Sequence, residues 1–271
     1  MHRLARTTLG ALLACGFLSC AQAAVIRAHG DAIELRGQIA ADDGDSLQSL
    51  MTPAVRVLRL RSPGGDLQGA LAIARLVHER DIDVEIDGLC ASACAQLILP
   101  AASHVRASNG TLVVLHAAGD GAARAARREG RLVADDRQAA RSLAGIVALQ
   151  DAMDEFLASV GVRKPAMDFM YELSSVSDVK VTFSRIDDGQ AHVELTGARD
   201  PICRNWLVGP EQLRALGVRA AEWSPGGVLK AEFVLGIKGA ETYSGPPVEI
   251  APEDHALDCR HFSQRVEQSS R

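Results

Sequence analysis

Hydrophobic positions recur along this chain with two different spacings, and the changeovers fall at glycines and prolines. Ala32 to Ile39 alternate apolar and polar and pass through Gly37-Gln38, which predicts a half-buried strand. Ser46 to Met51 predicts a short helix and Val55 to Leu60 a second strand, followed by the turn Ser62-Pro63-Gly64-Gly65. From Leu67 to Arg80 the spacing becomes helical, with Leu67, Ala70, Leu71, Ile73, Ala74 and Val77 on one side. Val84 to Leu89 predicts a third strand. Ser92 to Leu99 predicts a helix of small residues that Pro100 ends, and His104–Ala107 and Thr111–Leu115 predict two short strands.

The second half is more helical. Gly119 to Gly130 is small and charged and predicts a loop or mobile lid. Leu132 to Val160 predicts the longest helix, with a stripe of Leu143, Ile146, Val147, Leu149, Met153 and Phe156. A further helix begins at Pro165 or Ala166 and runs to Leu173. Thr182 to Leu195 predicts a hairpin around Asp187-Asp188-Gly189, and Pro210 to Leu216 a short helix closed by Gly217. Residues 223–271 predict a tail of strand-like pieces. Strands alternating with helices predict βαβ units, an α/β fold and a mainly parallel sheet. No internal repeat or low-complexity segment interrupts this order.

Composition changes the picture in three places. Aromatics make up only 4% of the chain, so the core must come from Ala, Leu, Val and Ile. The start is basic through Arg6, then apolar from Thr7 to Cys20, then Ala21-Gln22-Ala23. That is the pattern of a signal peptide cleaved after Ala23, too short to span a membrane comfortably. It predicts a periplasmic or secreted mature chain with no stable membrane span; a lipoprotein signal ending at Cys15 or Cys20 is the rival, with a poor lipobox. The net charge of −5 becomes more negative once Arg3 and Arg6 leave, which argues against nucleic-acid binding. Arg124, Arg127, Arg128 and Arg131 cluster, but Asp135 and Asp136 follow, as on a solvated helix face.

Four cysteines remain after the leader: Cys90, Cys94, Cys203 and Cys259. An even count in an exported chain suits two disulfides. Three pairings are open, and Cys90–Cys94 with Cys203–Cys259 is the expectation. A metal reading of Cys90-x3-Cys94 lacks a second Cys/His pair at zinc spacing, so neither metal nor cofactor is expected.

Candidate chemistry lies at strand ends. Ser92, within Cys90-Ala91-Ser92-Ala93-Cys94, sits where a strand turns into a helix, where free N–H groups and the helix dipole favour developing negative charge. A plain N-cap serine has the same signature. Gly64 and Gly65 permit the positive φ that points an N–H into a cleft, although any strand-to-helix turn uses glycine too. The pattern does not extend to a phosphate loop, since no Lys-Ser/Thr follows. His116 closes the run Leu112–Leu115, at the strand end that lines the crevice of parallel α/β sheets.

Strand, Gly-Gln, helix, strand, Ser-Pro-Gly-Gly, helix, strand, Ala-Ser-Ala, helix, strand pair and His resembles the proteolytic subunit of the Clp protease, in the ClpP/crotonase superfamily. It is similar above all to exported bacterial relatives with a Cys-x-Ser-Ala-Cys motif. The likeness covers residues 31–118 well and continues loosely to Gly217, through Trp206–Glu211 and Leu216-Gly217-Val218. It implies a ClpP/crotonase-like spiral of βαβ units over 24–222; the tail 223–271 has no counterpart in it and is expected, from its strand-like pieces, to be a small β-rich extension. It implies Ser92 as nucleophile, His116 as general base, and Gly65 and Ala93 as oxyanion donors. Asp178 is the expected third member, ahead of Asp168, which falls inside a helix, and Asp200, which follows the extra hairpin; the inserted 183–200 segment departs from the family. The implied activity is hydrolysis of peptides or unfolded segments, since an exported chain has no ATP supply for an unfoldase. A catalytically silent ClpP/crotonase scaffold is the alternative. A crotonase-type acyl-CoA enzyme is a third reading, which an exported location disfavours. The stripe of the long helix is also compatible with a homo-oligomer.

Overall fold

The structure is a computed structural model and describes residues 24–117, 121–185 and 191–270. The expected leader and the Asp187-Asp188-Gly189 turn lie outside the described residues. The alternating runs become strands with one face inward. Strands β2 (Ala32–Arg36), β3 (Val57–Ser62) and β4 (Asp83–Ala91) pair in parallel, β2 to β3 and β3 to β4. In β3, Leu58, Leu60 and Ser62 point inward while Arg59 and Arg61 face solvent. Strand β4 serves two partners in succession. Its first half pairs with β5 (Val105–Ala107), and its second half with β6 (Leu112–Leu115), both parallel.

Val25–His29 forms a strand the pattern did not suggest, β1, antiparallel to β2 across a turn in which Gly30 holds φ +63°. At the other side β10 (Asn205–Val208) runs antiparallel to β6, and β11 (Thr242–Tyr243) parallel to β10. The sheet order is β1-β2-β3-β4-β6-β10-β11, with β5 on β4. The mainly parallel α/β architecture expected from the sequence is therefore present.

Helix α1 (Asp43–Leu50) begins earlier than the pattern suggested, because Gly44 lets it press against Ala72 of α2 (Leu67–Glu79). Helix α2 buries Ala70, Leu71, Ile73, Ala74 and Val77 on the sheet, and Asp66 caps it by accepting the Gly69 N–H at 2.8 Å. After Ser92 the backbone makes a wide, π-type turn over Cys94–Ile98 and finishes in a short α3 (Leu99–Ala101).

Three expectations are corrected beyond this point. The described part of the Gly119–Gly130 segment is a helix, α4 (Gly121–Arg128), rather than a loop. Alanine and arginine are strong helix formers, and the buried stripe is Ala123, Ala125 and Ala126, too small to register as hydrophobic periodicity. The long helix does not start at Leu132. Leu132–Ala134 is a strand, β7, and α5 (Arg137–Ser159) starts at a cap where Asp136 accepts the N–H groups of Gln138 and Ala139 at 2.7 and 2.8 Å. With β8 (Lys180–Arg185) and β9 (Ala191–Thr196), β7 forms a separate three-stranded sheet, parallel to β8, which is antiparallel to β9. The expected hairpin is thus present. Helix α6 (Lys164–Ser174) and α7 (Pro210–Ala215) lie close to their expected positions.

The third correction concerns the tail. Residues 223–271 are mainly helical rather than β-rich, with α8 (Val228–Leu235) and α9 (Cys259–Ser269) around the two residues of β11. The tail also contributes to the main core. Tyr243 stacks edge-on with both Phe169 and Phe262, and the Phe169 ring lies 5.0 Å from Trp206. Four of the chain's few aromatics thus meet in one place. Burial pushes the Tyr243 phenol up to about 12, and its O–H donates to Pro246 O at 2.8 Å. The Cys203–Cys259 disulfide ties α9 beside β10 across 56 residues, a closure worth about 4 kcal/mol on chain-entropy grounds. Phe262 is fully buried, so Phe262→Ala is expected to cost about 3–5 kcal/mol. Urea unfolding measures it, and a cost below about 1 kcal/mol would make the tail a separable appendage.

Candidate functional site

Strand β4 ends at Ala91, and the next residue leaves the sheet in a left-handed conformation: Ser92 has φ +54°. A non-glycine residue there costs about 1–2 kcal/mol and needs its surroundings to hold it. Two backbone hydrogen bonds do so. The Ser92 N–H donates to Val114 O at 2.9 Å, and the Ser92 carbonyl accepts the Gln96 N–H at 2.9 Å. The first anchors the turn to β6, and the second opens the following helical segment.

The register of β4 and β6 brings His116 to the same edge. Leu89 pairs with Leu112 and Ala91 with Val114, so Ser92 and His116 leave neighbouring parallel strands one residue apart in level. Strands so paired lie about 4.8 Å apart. The His116 backbone is held from both sides. Its carbonyl accepts from Gln96 Nε2 at 3.0 Å, and the next N–H, that of Ala117, donates to Ser174 Oγ at 2.8 Å. Ser174 Oγ in turn donates to Met170 O at 2.6 Å. Gln96 therefore couples the Ser92 turn to the histidine. It is a buried polar side chain in an otherwise apolar run, and that contrast was the signal available in the sequence.

The glycine loop meets the same turn. Ser62 is fully buried and pairs with Cys90, and its Oγ accepts the Gly64 N–H at 3.0 Å. Gly64 has φ +95°, and a Cβ there would stand 2.6 Å from Ala91 O and 2.7 Å from Ser92 Cβ. Gly65, at φ +146°, backs onto Ile39 instead. Ile39 N–H donates to Gly64 O at 2.8 Å and Ile39 O accepts the Asp66 N–H at 2.9 Å. The sequence marked the glycine pair without separating its members. The fold makes Gly64 the one that touches the serine turn, while Ala93 follows Ser92 and is fully buried.

His116 lines a cleft of about 540 Å³, together with Ala117, Ser174, Leu195 and Arg204. Its charges compensate one another. Arg204 pairs with Asp200 at 2.7 Å and Glu241 at 3.5 Å, and Lys238 with Glu241 at 3.2 Å.

Asp178 occupies a different setting. It too is left-handed, at φ +52°, and its carboxylate meets Arg199 Nε at 2.8 Å and an Arg131 guanidinium nitrogen at 3.3 Å. Both oxygens thus carry a cation. Asp168 pairs with Lys164 at 2.7 Å. The arginine cluster is likewise partnered. Arg124 grips Asp154 with both contacts near 2.8–2.9 Å and lies 4.8 Å over the Tyr171 ring, and Arg127 holds Asp151 at 2.8 Å.

The cysteines are joined as expected, Cys90 to Cys94 and Cys203 to Cys259, with Cα separations of 5.5 and 4.7 Å. Among the described residues no group of three or more His, Cys, Asp or Glu is arranged to hold a metal, and no helix is long and apolar enough to cross a membrane.

No protein-family model matches the chain, and no curated protein matches it. Solved structures do. A methylmalonyl CoA decarboxylase is 13% identical over 37% of this chain and 50% of its own, with a TM-score of 0.28. An enoyl-CoA hydratase from Mycobacterium avium subsp. paratuberculosis K-10 is 14% identical over 38% of this chain and 57% of its own, also at 0.28. The chain spans about half the length of such structures. Its α/β fold with a mainly parallel sheet stands on the strand order and register described above.

Proposed function

We propose that this protein is an exported ClpP-like serine hydrolase acting on peptides or unfolded segments. The observation that carries the reading is the left-handed Ser92 at a strand-to-helix turn, pressed by Gly64 and one residue out of level with His116, which ends the adjacent strand. A serine in such a turn stands clear of its own backbone, as in the nucleophile elbows of other hydrolases. In the proposed reaction His116 takes the Ser92 proton while Oγ attacks a carbonyl carbon. The N–H groups of Gly65 and Ala93 hold the oxyanion, and water then releases the acyl group. Two disulfides, and the basic, apolar, Ala-x-Ala start of the sequence, support export to an oxidising compartment.

A second reading, a silent scaffold of the same fold, draws on Asp178. To orient the imidazole, its carboxylate must exchange Arg199 and Arg131 for His116. On the hydrolase reading Ser92 and His116 act as a dyad, with the imidazole placed by the backbone contacts from Gln96 and Ser174.

A fluorophosphonate probe tests this directly. Wild-type protein is expected to become phosphonylated at Ser92 with loss of fluoride, Ser92→Ala to show no labelling, and His116→Ala to label at least about a hundredfold more slowly. Equal labelling of wild type and Ser92→Ala, or none in either, would leave the silent scaffold.

Gly64→Ala should slow labelling at least about tenfold and cost about 1–3 kcal/mol of stability, because the added Cβ collides with the Ser92 turn and the backbone is left-handed. Labelling at the wild-type rate would mean that the loop does not support the site. Asp178→Asn is expected to change the labelling rate by less than about tenfold. A fall approaching the ~10⁴ seen when a working triad loses its acid would restore Asp178 to the triad.

A further inference from the structure

The Cys90–Cys94 disulfide brackets Ser92 symmetrically, two residues to either side. Cys90 is fixed in the middle of the sheet, paired with Ser62 of β3 and Val113 of β6. Cys94 begins the wide helical turn, and both cysteines are fully shielded from solvent. An extended path from residue 90 to residue 94 would separate their Cα atoms by about 13 Å. The bridge holds them at 5.5 Å. Between those ends the chain must finish a strand, reverse and start a helix, and Ser92 at the apex takes the left-handed conformation. Gly64 closes the turn on its outer side.

From this geometry we infer that the Cys90–Cys94 bridge is the positioning device that fixes the Ser92 elbow, and that the reactivity proposed for Ser92 exists only in the oxidised protein. The second half rests on the hydrolase reading; the first does not. Closing the bridge removes two electrons and two protons from the two thiols. One thiolate attacks a disulfide-bearing oxidant, and the second displaces the reduced oxidant from the mixed disulfide. Because both sulfurs are shielded in the folded chain, the bond must form before or during folding. Chain folded under reducing conditions keeps two thiols that fill the same space as small apolar groups, without the restraint on residues 91–93. The bond so acts as a checkpoint, keeping the serine unreactive until the chain reaches an oxidising compartment.

The Cys203–Cys259 bridge supplies the control. It closes a loop of 56 residues rather than 4, so its removal should lower stability more while leaving the Ser92 turn alone. The experiment compares oxidised wild type, Cys90→Ala/Cys94→Ala and Cys203→Ala/Cys259→Ala by amide hydrogen exchange and fluorophosphonate labelling. In Cys90→Ala/Cys94→Ala the Ser92 and Gln96 amides are expected to exchange at least tenfold faster, with the neighbouring strands unchanged, and labelling to fall at least tenfold. In Cys203→Ala/Cys259→Ala the thermal midpoint should drop further, with labelling within about threefold of wild type. Unchanged exchange at Ser92 and Gln96 in Cys90→Ala/Cys94→Ala would overturn the inference. So would equal loss of labelling in both double variants, since stability alone would then account for it. Faster local exchange beside a wild type that never labels would sustain the clamp and overturn the hydrolase reading.

Discussion

The turn at Ser92 is the constraint around which the rest of the site is arranged. A β-strand of L-residues twists to the right and enters a right-handed helix readily only through a few backbone conformations. Here the crossing is made in a single left-handed residue that is not glycine. Such a residue persists because its neighbours restrict it, the Cys90–Cys94 bridge among them. The strand before it is paired on both sides, the segment after it is buried, its N–H is committed to Val114, and Gly64 presses on its outer face. The cost is local, and the restoring contacts come from two distant stretches of chain, β3 with its glycine loop and β6.

Register is what brings those stretches together. Leu60 of β3 stands opposite Ile86 of β4, yet Ser62 stands opposite Cys90, so β4 spends two more residues than β3 over the same span. The extra length lies around Gly88, at φ +82°. It is also where β4 passes from β5 to β6 as partner. The irregularity therefore does two things at once. It aligns the glycine loop with the serine turn rather than with the middle of the strand, and it opens the place beside β4 where β6 can bring His116 alongside.

Charge and aromatic side chains serve the frame. The arginine cluster reads as a solvated face in the sequence, and in the fold Asp151 and Asp154 of α5 pair with Arg127 and Arg124, while Asp178 is shared between Arg131 and Arg199. These exposed or half-exposed pairs are individually weak. The first two tie α4 to α5, and the Asp178 pairs tie the strand ends of the small sheet to one another. Four of the scarce aromatics meet where the tail returns, so residues far past the candidate site complete the core that supports β10 and, through it, β6.

Local pattern was enough for whatever depends on neighbours in sequence. The alternation in β2 and β3, the helical stripe of α2, and the succession of strand and helix that makes a mainly parallel sheet could be read directly, because side chains two or four residues apart share a face whatever the rest of the chain does. So could Ser92, His116 and the glycine pair as candidates, since each sits at a strand end; for the four cysteines the sequence left three pairings open, and the fold joins Cys90 to Cys94 and Cys203 to Cys259. What escaped had non-local causes. The alanine stripe of α4 is buried only because the small sheet covers it. Leu132–Ala134 is a strand only because β8 offers it a partner, and the tail helices rest on distant packing, α8 through Ala231 with Leu112, Val114 and Leu207, and α9 through Phe262 on Tyr243. The carboxylate of Asp178 went to two arginines rather than to an imidazole for the same reason: residues 131, 178 and 199 become neighbours only after the chain has folded, and no spacing along the sequence encodes that meeting.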